Sequence, residues 1–242
     1  MDSLAKLQII IPVYNEGGSI VKTLCGIREK VVVPHEITII YDFDEDDTLP
    51  AVKAYLAEDK SAPITLVKNQ FGRGGLNALK TGFQNAKQDI VLVTMADGSD
   101  DLSLIDRMYG KLAEGYDIVC ASRYMKGGGQ IGGGKIKGWI SRLAGVSLYY
   151  LTGIPTRDIT NNFKMYRKKV LDRIDFQSDG GFEIAMEITV KAYSLGYRIT
   201  EVPYVWPDRA VGQSRFKLMQ WLPKYWRWYW YALRGRFLGL SG

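Results

Sequence analysis

One stretch constrains this chain more than any other: Ile90-Val-Leu-Val-Thr-Met-Ala-Asp-Gly-Ser-Asp-Asp101. An aliphatic, β-branched run that stops at carboxylates has the length and flanking turn chemistry of a strand buried on both faces. In a parallel sheet, ligands bind outside the carboxyl edge, where this reading puts Asp97. An acidic group there, in a chain with 32 Lys and Arg, points to a cation and an anionic ligand. Asp101 is suited to cap the helix expected from Leu102, with Asp100 left as a helper to Asp97.

The rest of the chain repeats this strand-then-helix unit. Leu7–Val13, Ile37–Tyr41, Ile64–Val67, Ile90–Met95 and 117–121 read as strands, with helical segments between them. That alternation predicts a doubly wound, mostly parallel α/β sheet built from right-handed crossovers. The second half is less regular. Lys126-Gly-Gly-Gly-Gln-Ile-Gly-Gly-Gly-Lys135 reads as a mobile lid or linker, the flanking lysines favouring a lid. Helices are expected over Trp139–Leu151 and Phe182–Leu195, and strands over Asn162–Tyr166 and Arg198–Val205.

Composition excludes several chemistries. A hydrophobic share of 46% and a charged share of 24% are those of an ordinary globular protein. Two cysteines, Cys25 and Cys120, give no disulfide framework and no metal spacing, so a reducing, cytoplasmic setting is expected. No basic-then-apolar leader opens the chain, and no apolar run reaches the roughly 18–20 residues of a spanning helix. The single histidine, His35, falls at the amino end of its strand, away from the expected ligand edge. A Ser-His-Asp triad, a His-ligated zinc and a His general base are thereby disfavoured. The place for a dinucleotide-binding glycine fingerprint holds Pro12-Val-Tyr-Asn-Glu16 instead. Gly72-Arg-Gly-Gly75 lacks the Gly-Lys-Ser/Thr ending of a Walker loop; its Arg73 is available to an anion.

Three strand ends therefore converge: Tyr14-Asn15-Glu16, Asp42 and Asp97. Carboxylates on the first two can accept hydrogen bonds from a nucleobase or ribose. One on the fourth can hold Mg²⁺ or Mn²⁺ against a diphosphate. Together with Ile11-Pro-Val-Tyr-Asn-Glu16 and Ala121-Ser-Arg-Tyr124, these residues resemble the GT-A glycosyltransferases of family 2. The segments 158–170, Met186-Glu187, Glu201-Val-Pro203 and 208–215 resemble its dolichol- or polyprenyl-phosphate sugar transferase branch. The resemblance covers nearly the whole chain in order. It implies a GT-A domain over 1–212. It implies that Pro12, Tyr14, Asn15, Glu16 and Asp42 hold a GDP- or UDP-linked sugar. Asp97, with Ser99, would bind the metal. Arg123 and Arg142 would hold the acceptor phosphate. Arg209, Arg215 and Lys217 would close over the donor diphosphate or the acceptor.

Two positions depart from the family pattern. Met95 stands where the acidic turn usually has its first Asp, and Tyr41-Asp42 replaces two adjacent aspartates. Altered donor choice is the favoured consequence, against weaker metal affinity or lost activity. For the function as a whole the alternatives are a family 2 transferase acting on a sugar hydroxyl or other soluble acceptor, and a non-catalytic nucleotide-sugar-binding or scaffold protein derived from this fold. Chemistry favours a phosphate acceptor. A phosphate monoester, with a second pKa of about 6, is already anionic and needs positioning rather than a strong base.

The tail, 213–242, carries the positive charge. Beyond Asp208 lie Arg209, Arg215, Lys217, Lys224, Arg227, Arg234 and Arg236, and no acidic residue. Trp221, Trp226, Trp228 and Trp230 interleave with them. A helix starting at Pro223 would place Lys224, Arg227 and Arg234 near one stripe. Aromatic and basic residues together suit a membrane surface first, and a protein contact (its own domain, a membrane-protein partner or a homo-oligomer) second. Nucleic acid is not expected. The expected setting is the cytoplasmic face of a membrane, bound peripherally.

Overall fold

The structure, a computed structural model, describes residues 6–132, 135–207 and 218–238. The main sheet uses β1 (Leu7–Pro12), β2 (His35–Tyr41), β3 (Ile64–Lys68), β4 (Ile90–Val93), β5 (Ile118–Ser122), β7 (Lys164–Arg167) and β8 (Ile199–Pro203). Two short strands, β6 (Gly129–Ile131) and β9 (Val205–Pro207), pair separately. The helices are α1 (Ile20–Lys30), α2 (Thr48–Glu58), α3 (Gly75–Asn85), α4 (Ile105–Ala113), α5 (Lys135–Thr152), α6 (Lys168–Arg173), α7 (Ile184–Ser194) and α8 (Leu218–Leu238).

The main sheet has the order β3-β2-β1-β4-β7-β5-β8. All its pairs are parallel except those of β7, which runs antiparallel between β4 and β5. This is the mostly parallel α/β architecture that the alternation predicts. The reversal of β7 has a functional consequence: its amino end, not its carboxyl end, reaches the ligand edge, because Lys164 pairs with Val93. The loop before β7 is thereby placed among the carboxyl ends of the parallel strands.

Alternation within the central strands explains why both faces are covered. Leu7, Ile9 and Ile11 pack with α1, α2 and α4, whereas Ile10 packs with α3, α6 and α7. Such strands, apolar on both faces, are the buried strands of an α/β layer. Close approach of α3 to β1 depends on Gly82, where a Cβ would stand 2.5 Å from Ile10 Cγ2.

Three segments differ from the sequence expectation. Part of the glycine-rich segment is ordered as β6, with Gly129–Ile131 paired in parallel to Val205–Pro207. Glycine lowers strand propensity, and only a partner strand nearly 80 residues away overrides it. Second, α8 begins at Leu218 and contains Pro223 in its interior rather than at its start. Third, two of the three basic residues expected on one stripe of α8, Lys224 and Arg227, contact their own domain, while Arg234 is exposed. Lys224 Nζ donates to the carbonyl of Asp179 and Arg227 reaches Gln177. Trp228, 1% exposed, packs with Leu148 of α5, Met186 and Val190 of α7, and Ile154 and Ile159. Its indole N–H donates to Ser178 Oγ at 3.1 Å. Among the described residues no helix is long and apolar enough to cross a membrane.

Candidate active site

The loop between β1 and α1 is pinned to the start of α2. Asn15 takes φ 53°, a left-handed conformation that Asn tolerates better than most residues. Its N–H donates to Asp46 Oδ2 at 3.1 Å, Glu16 N–H to Thr48 Oγ1 at 2.9 Å, and Gly17 N–H to Asp47 Oδ1 at 2.8 Å. Asp46, 1% exposed, also accepts from Thr48 N–H, closing an Asx turn at the head of α2. The expected nucleotide residues fall into two groups here. Pro12 is buried in β1 beside Ile40, and Glu16 accepts from Ser19 Oγ at 2.7 Å, so both shape the loop. Tyr14 is 44% exposed and meets Phe43 edge-on at 5.5 Å.

Asp42, at the end of β2, joins two further loops. Its oxygens accept from Asn69 Nδ2 and from Gly74 N–H, both at 2.8 Å. That draws the Gly72–Gly75 turn over the sheet edge and sets the Arg73 guanidinium 5.0 Å above the Phe43 ring. Tyr14, edge-on to Phe43, and Arg73, over its face, thus form a cluster at the ends of the first two strands. Phe43 and the pinning pair Asp46 and Thr48 were missed by motif reading. The pair left a signal, Asp-x-Thr at a helix start; Phe43 left none.

In the turn after β4 the carboxylates separate by role. Asp97 is half-buried, with Oδ1 accepting from Ser99 N–H at 3.0 Å across Gly98, whose φ of +71° suits glycine. Asp101 accepts from Ser103 N–H and caps the helical turn at Leu102, as expected. Asp100 is turned inward: Oδ2 accepts from Thr94 Oγ1 and Met95 N–H, and Oδ1 from Tyr204 Oη. Burial pushes its pKa up to about 6 against these hydrogen bonds. The expected helper role for Asp100 gives way to a structural one, because both of its oxygens are engaged within the fold. Among the described residues no group of three His, Cys, Asp or Glu could hold a metal by itself. One carboxylate at a strand end fits a hard ion that completes its shell with phosphate oxygens and water.

Across the edge, Arg123 follows β5 and meets the loop before β7. Its backbone N–H and Nε donate to Asp158 Oδ2 at 3.0 and 2.7 Å, and Nη2 donates to Oδ1 at 2.9 Å. Asp158 is fully buried. Nη2 also reaches Ser141 Oγ of α5, which pairs with Thr160 Oγ1. Nη1 makes no hydrogen bond among the described residues. Arg142 is exposed on α5 beside Ser141. Nearby, Lys164 is wholly buried and donates to the carbonyls of Ile159 and Ala185 and to Thr189 Oγ1. It ties the 159–164 segment to α7. Arg209, Arg215 and Lys217 lie outside the described residues.

The profile of the glycosyl transferase family 2 matches residues 8–175, which takes in the carboxyl ends of β1, β2, β4 and β5 and the loop before β7. This chain belongs to glycosyl transferase family 2. Transferase chemistry goes with that membership, and the sheet is the GT-A sheet. Among related family 2 proteins, the chain is 29% identical over 224 residues to a dolichol-phosphate mannosyltransferase of Pyrococcus furiosus, covering 88% of this chain and 59% of that one. It is 28% identical over 211 residues to an undecaprenyl-phosphate mannosyltransferase of Micrococcus luteus, covering 85% of each. Among solved structures, the fold matches glucosyl-3-phosphoglycerate synthase from Mycobacterium tuberculosis with Mn²⁺, UDP and glucosyl-3-phosphoglycerate. The TM-score is 0.68 at 18% identity, covering 96% of this chain and 80% of that one. At that identity the likeness concerns the fold alone.

Proposed function

We propose that the chain transfers a sugar from a GDP- or UDP-linked donor to a polyprenyl phosphate, with inversion at the anomeric carbon. The observation that carries this reading is the company Arg123 and Arg142 keep. Arg142 is on α5 and Arg123, after β5, reaches Ser141 of that helix, whose exposed face is apolar: Ile136, Trp139, Leu143 and Tyr150 are 65–74% exposed and recur at helical spacing. Cations for a phosphate beside an apolar face match a lipid phosphate better than a soluble one. The names of the curated relatives support the same class.

In this reading the Tyr14–Phe43–Arg73 cluster and Asp42 take the nucleoside. Asp97, with Ser99, meets a Mg²⁺ or Mn²⁺ ion, which when bound supplies charge neutralisation to the leaving diphosphate. Asp158 fixes the Arg123 fork so that Nη1 and Arg142 orient the acceptor phosphate. No general base is required, because the nucleophile is already an anion. Arg209, Arg215 and Lys217 remain assigned to closure over the phosphates.

The exposed faces of α5 and α8, with Trp226 54% and Trp230 46% exposed, would rest on a membrane surface. The division into a catalytic domain over 1–212 and a surface-binding tail over 213–242 belongs to this proposal. The test is transfer of radiolabelled sugar from a panel of GDP- and UDP-sugars, with polyprenyl phosphate or a soluble phosphate ester as acceptor. Label that enters the organic phase only with polyprenyl phosphate is expected; transfer to the soluble ester alone would refute the acceptor assignment.

A further inference from the structure

Tyr204 lies between β8 and β9 and no part of the mechanism above uses it. Its side chain is fully buried and packs edge-on against Phe163 at 5.6 Å. Its hydroxyl reaches across 105 residues of sequence to the turn after β4, donating to the carbonyl of Ser99 at 2.7 Å and to Asp100 Oδ1 at 3.1 Å. We infer that Tyr204 is a positioning residue that sets the Asp97 carboxylate relative to the Arg123 loop. The inference rests on the reading of Asp97 as the carboxylate that meets the cation and the donor diphosphate.

The argument runs through the hydrogen bonds on either side of Asp97. The turn has no strand partner after Thr94, whose N–H makes the last sheet bond, to Ile10. Beyond that point its carbonyls are held from outside. Thr23 Oγ1 of α1 donates to Ala96 at 2.9 Å, just before Asp97, and Tyr204 Oη donates to Ser99, just after it. Ser99 N–H in turn holds Asp97 Oδ1 at 3.0 Å. The path from Tyr204 to the carboxylate is therefore two hydrogen bonds through one residue. Gly98 at φ +71° gives that residue no stiffness of its own, so the outside contact decides where Ser99 sits.

The other end of Tyr204 is fixed to the acceptor side. Its N–H donates to the carbonyl of Ser122 at 3.0 Å, one residue before Arg123, and its carbonyl accepts from Gly129 N–H of β6 at 3.0 Å. One residue thus carries the metal turn on its side chain and the Arg123 loop on its backbone. Donor diphosphate and acceptor phosphate must be held at a set separation for in-line displacement, and a rigid aromatic side chain spans that gap with two torsions.

The test uses the full chain and two substitutions. Tyr204→Phe keeps the ring against Phe163 and removes only the hydroxyl. Tyr166→Phe, at a side chain 1% exposed on β7 in register with Val91, controls for loss of a buried hydroxyl away from the turn. Mn²⁺ affinity is read by electron paramagnetic resonance in the presence of GDP or UDP, alongside thermal unfolding. Tyr204→Phe is expected to weaken Mn²⁺ binding about tenfold, the scale seen when a group supporting a ligand is removed. The KM for Mn²⁺ should rise in parallel, and Tyr166→Phe should bind as the wild type does. Wild-type Mn²⁺ affinity in Tyr204→Phe, or equal weakening in Tyr166→Phe, overturns the assignment. Absence of Mn²⁺ binding by the wild-type chain with either nucleotide overturns the Asp97 reading itself, and this assignment with it.

Discussion

Arg123 and Asp158 form a buried, two-pronged ion pair, with Nε 2.7 Å from Oδ2 and Nη2 2.9 Å from Oδ1. The carboxylate is inaccessible to solvent and the guanidinium side chain is 15% exposed. Removing one partner strands the other charge. Asp158→Ala should therefore cost about 3 kcal/mol of stability, in the range measured for broken buried pairs, read from urea unfolding. Arg123→Lys keeps the charge but loses the fork, and should lower transfer with a smaller effect on stability. Equal stability losses in the two variants would contradict the geometry.

Under the proposed function, substitution of Asp97 should separate binding of the cation from folding. Asp97→Asn keeps the side-chain volume and one acceptor for Ser99 N–H, so the thermal midpoint should stay close to the wild-type value. Transfer should fall by at least about a hundredfold, as when one charge-stabilising group is removed from an active site. Activity at the wild-type level would show that the ion is held elsewhere.

Asp100 gives a pH signature of its own. Burial raises its pKa from 3.8 to about 6, so the folded protein holds this proton more tightly than the unfolded chain does. Between those two values unfolding releases the proton, and stability falls as the pH rises through the window. Asp100→Asn cannot titrate. Its urea midpoint minus that of the wild type should grow from pH 4 to pH 6 and then level, in chelator to exclude metal. A difference that is flat, or that shrinks, would rule out a raised Asp100.

The tail helix contains two kinds of tryptophan. Trp228→Ala empties a buried site against α5 and α7 and should cost about 3–5 kcal/mol. Trp226→Ser with Trp230→Ser alters exposed positions and should leave stability within about 0.5 kcal/mol while reducing co-sedimentation with anionic vesicles. Unchanged vesicle binding in the double variant would remove the surface role of α8.

Much of this was legible without coordinates, for a physical reason in each case. Strands buried on both faces must be continuously apolar, so 7–12 and 90–93 announce themselves, and the glycines and carboxylates that end them mark the ligand edge. Asp101 as a cap and Asp97 as an edge carboxylate follow from local spacing. The helix containing Pro223 was misplaced at its start because proline favours a first turn, and only packing of α8 on α5 and α7 overrides that preference.

The sequence by itself determined the α/β layering, the family and the sheet edge at which the candidate residues gather, because periodicity, motif order and turn chemistry are local. Tertiary structure alone decided which groups are spent and which remain. It turned Asp100 inward to Tyr204, bound Arg123 to Asp158, brought Lys224 and Arg227 of α8 onto Asp179 and Gln177, and set Phe43 beneath Arg73. Each of those contacts joins residues 30 to 104 positions apart. Charge and hydrogen-bonding capacity can be read from a residue's name, but the partner that consumes them is fixed only when the chain closes on itself.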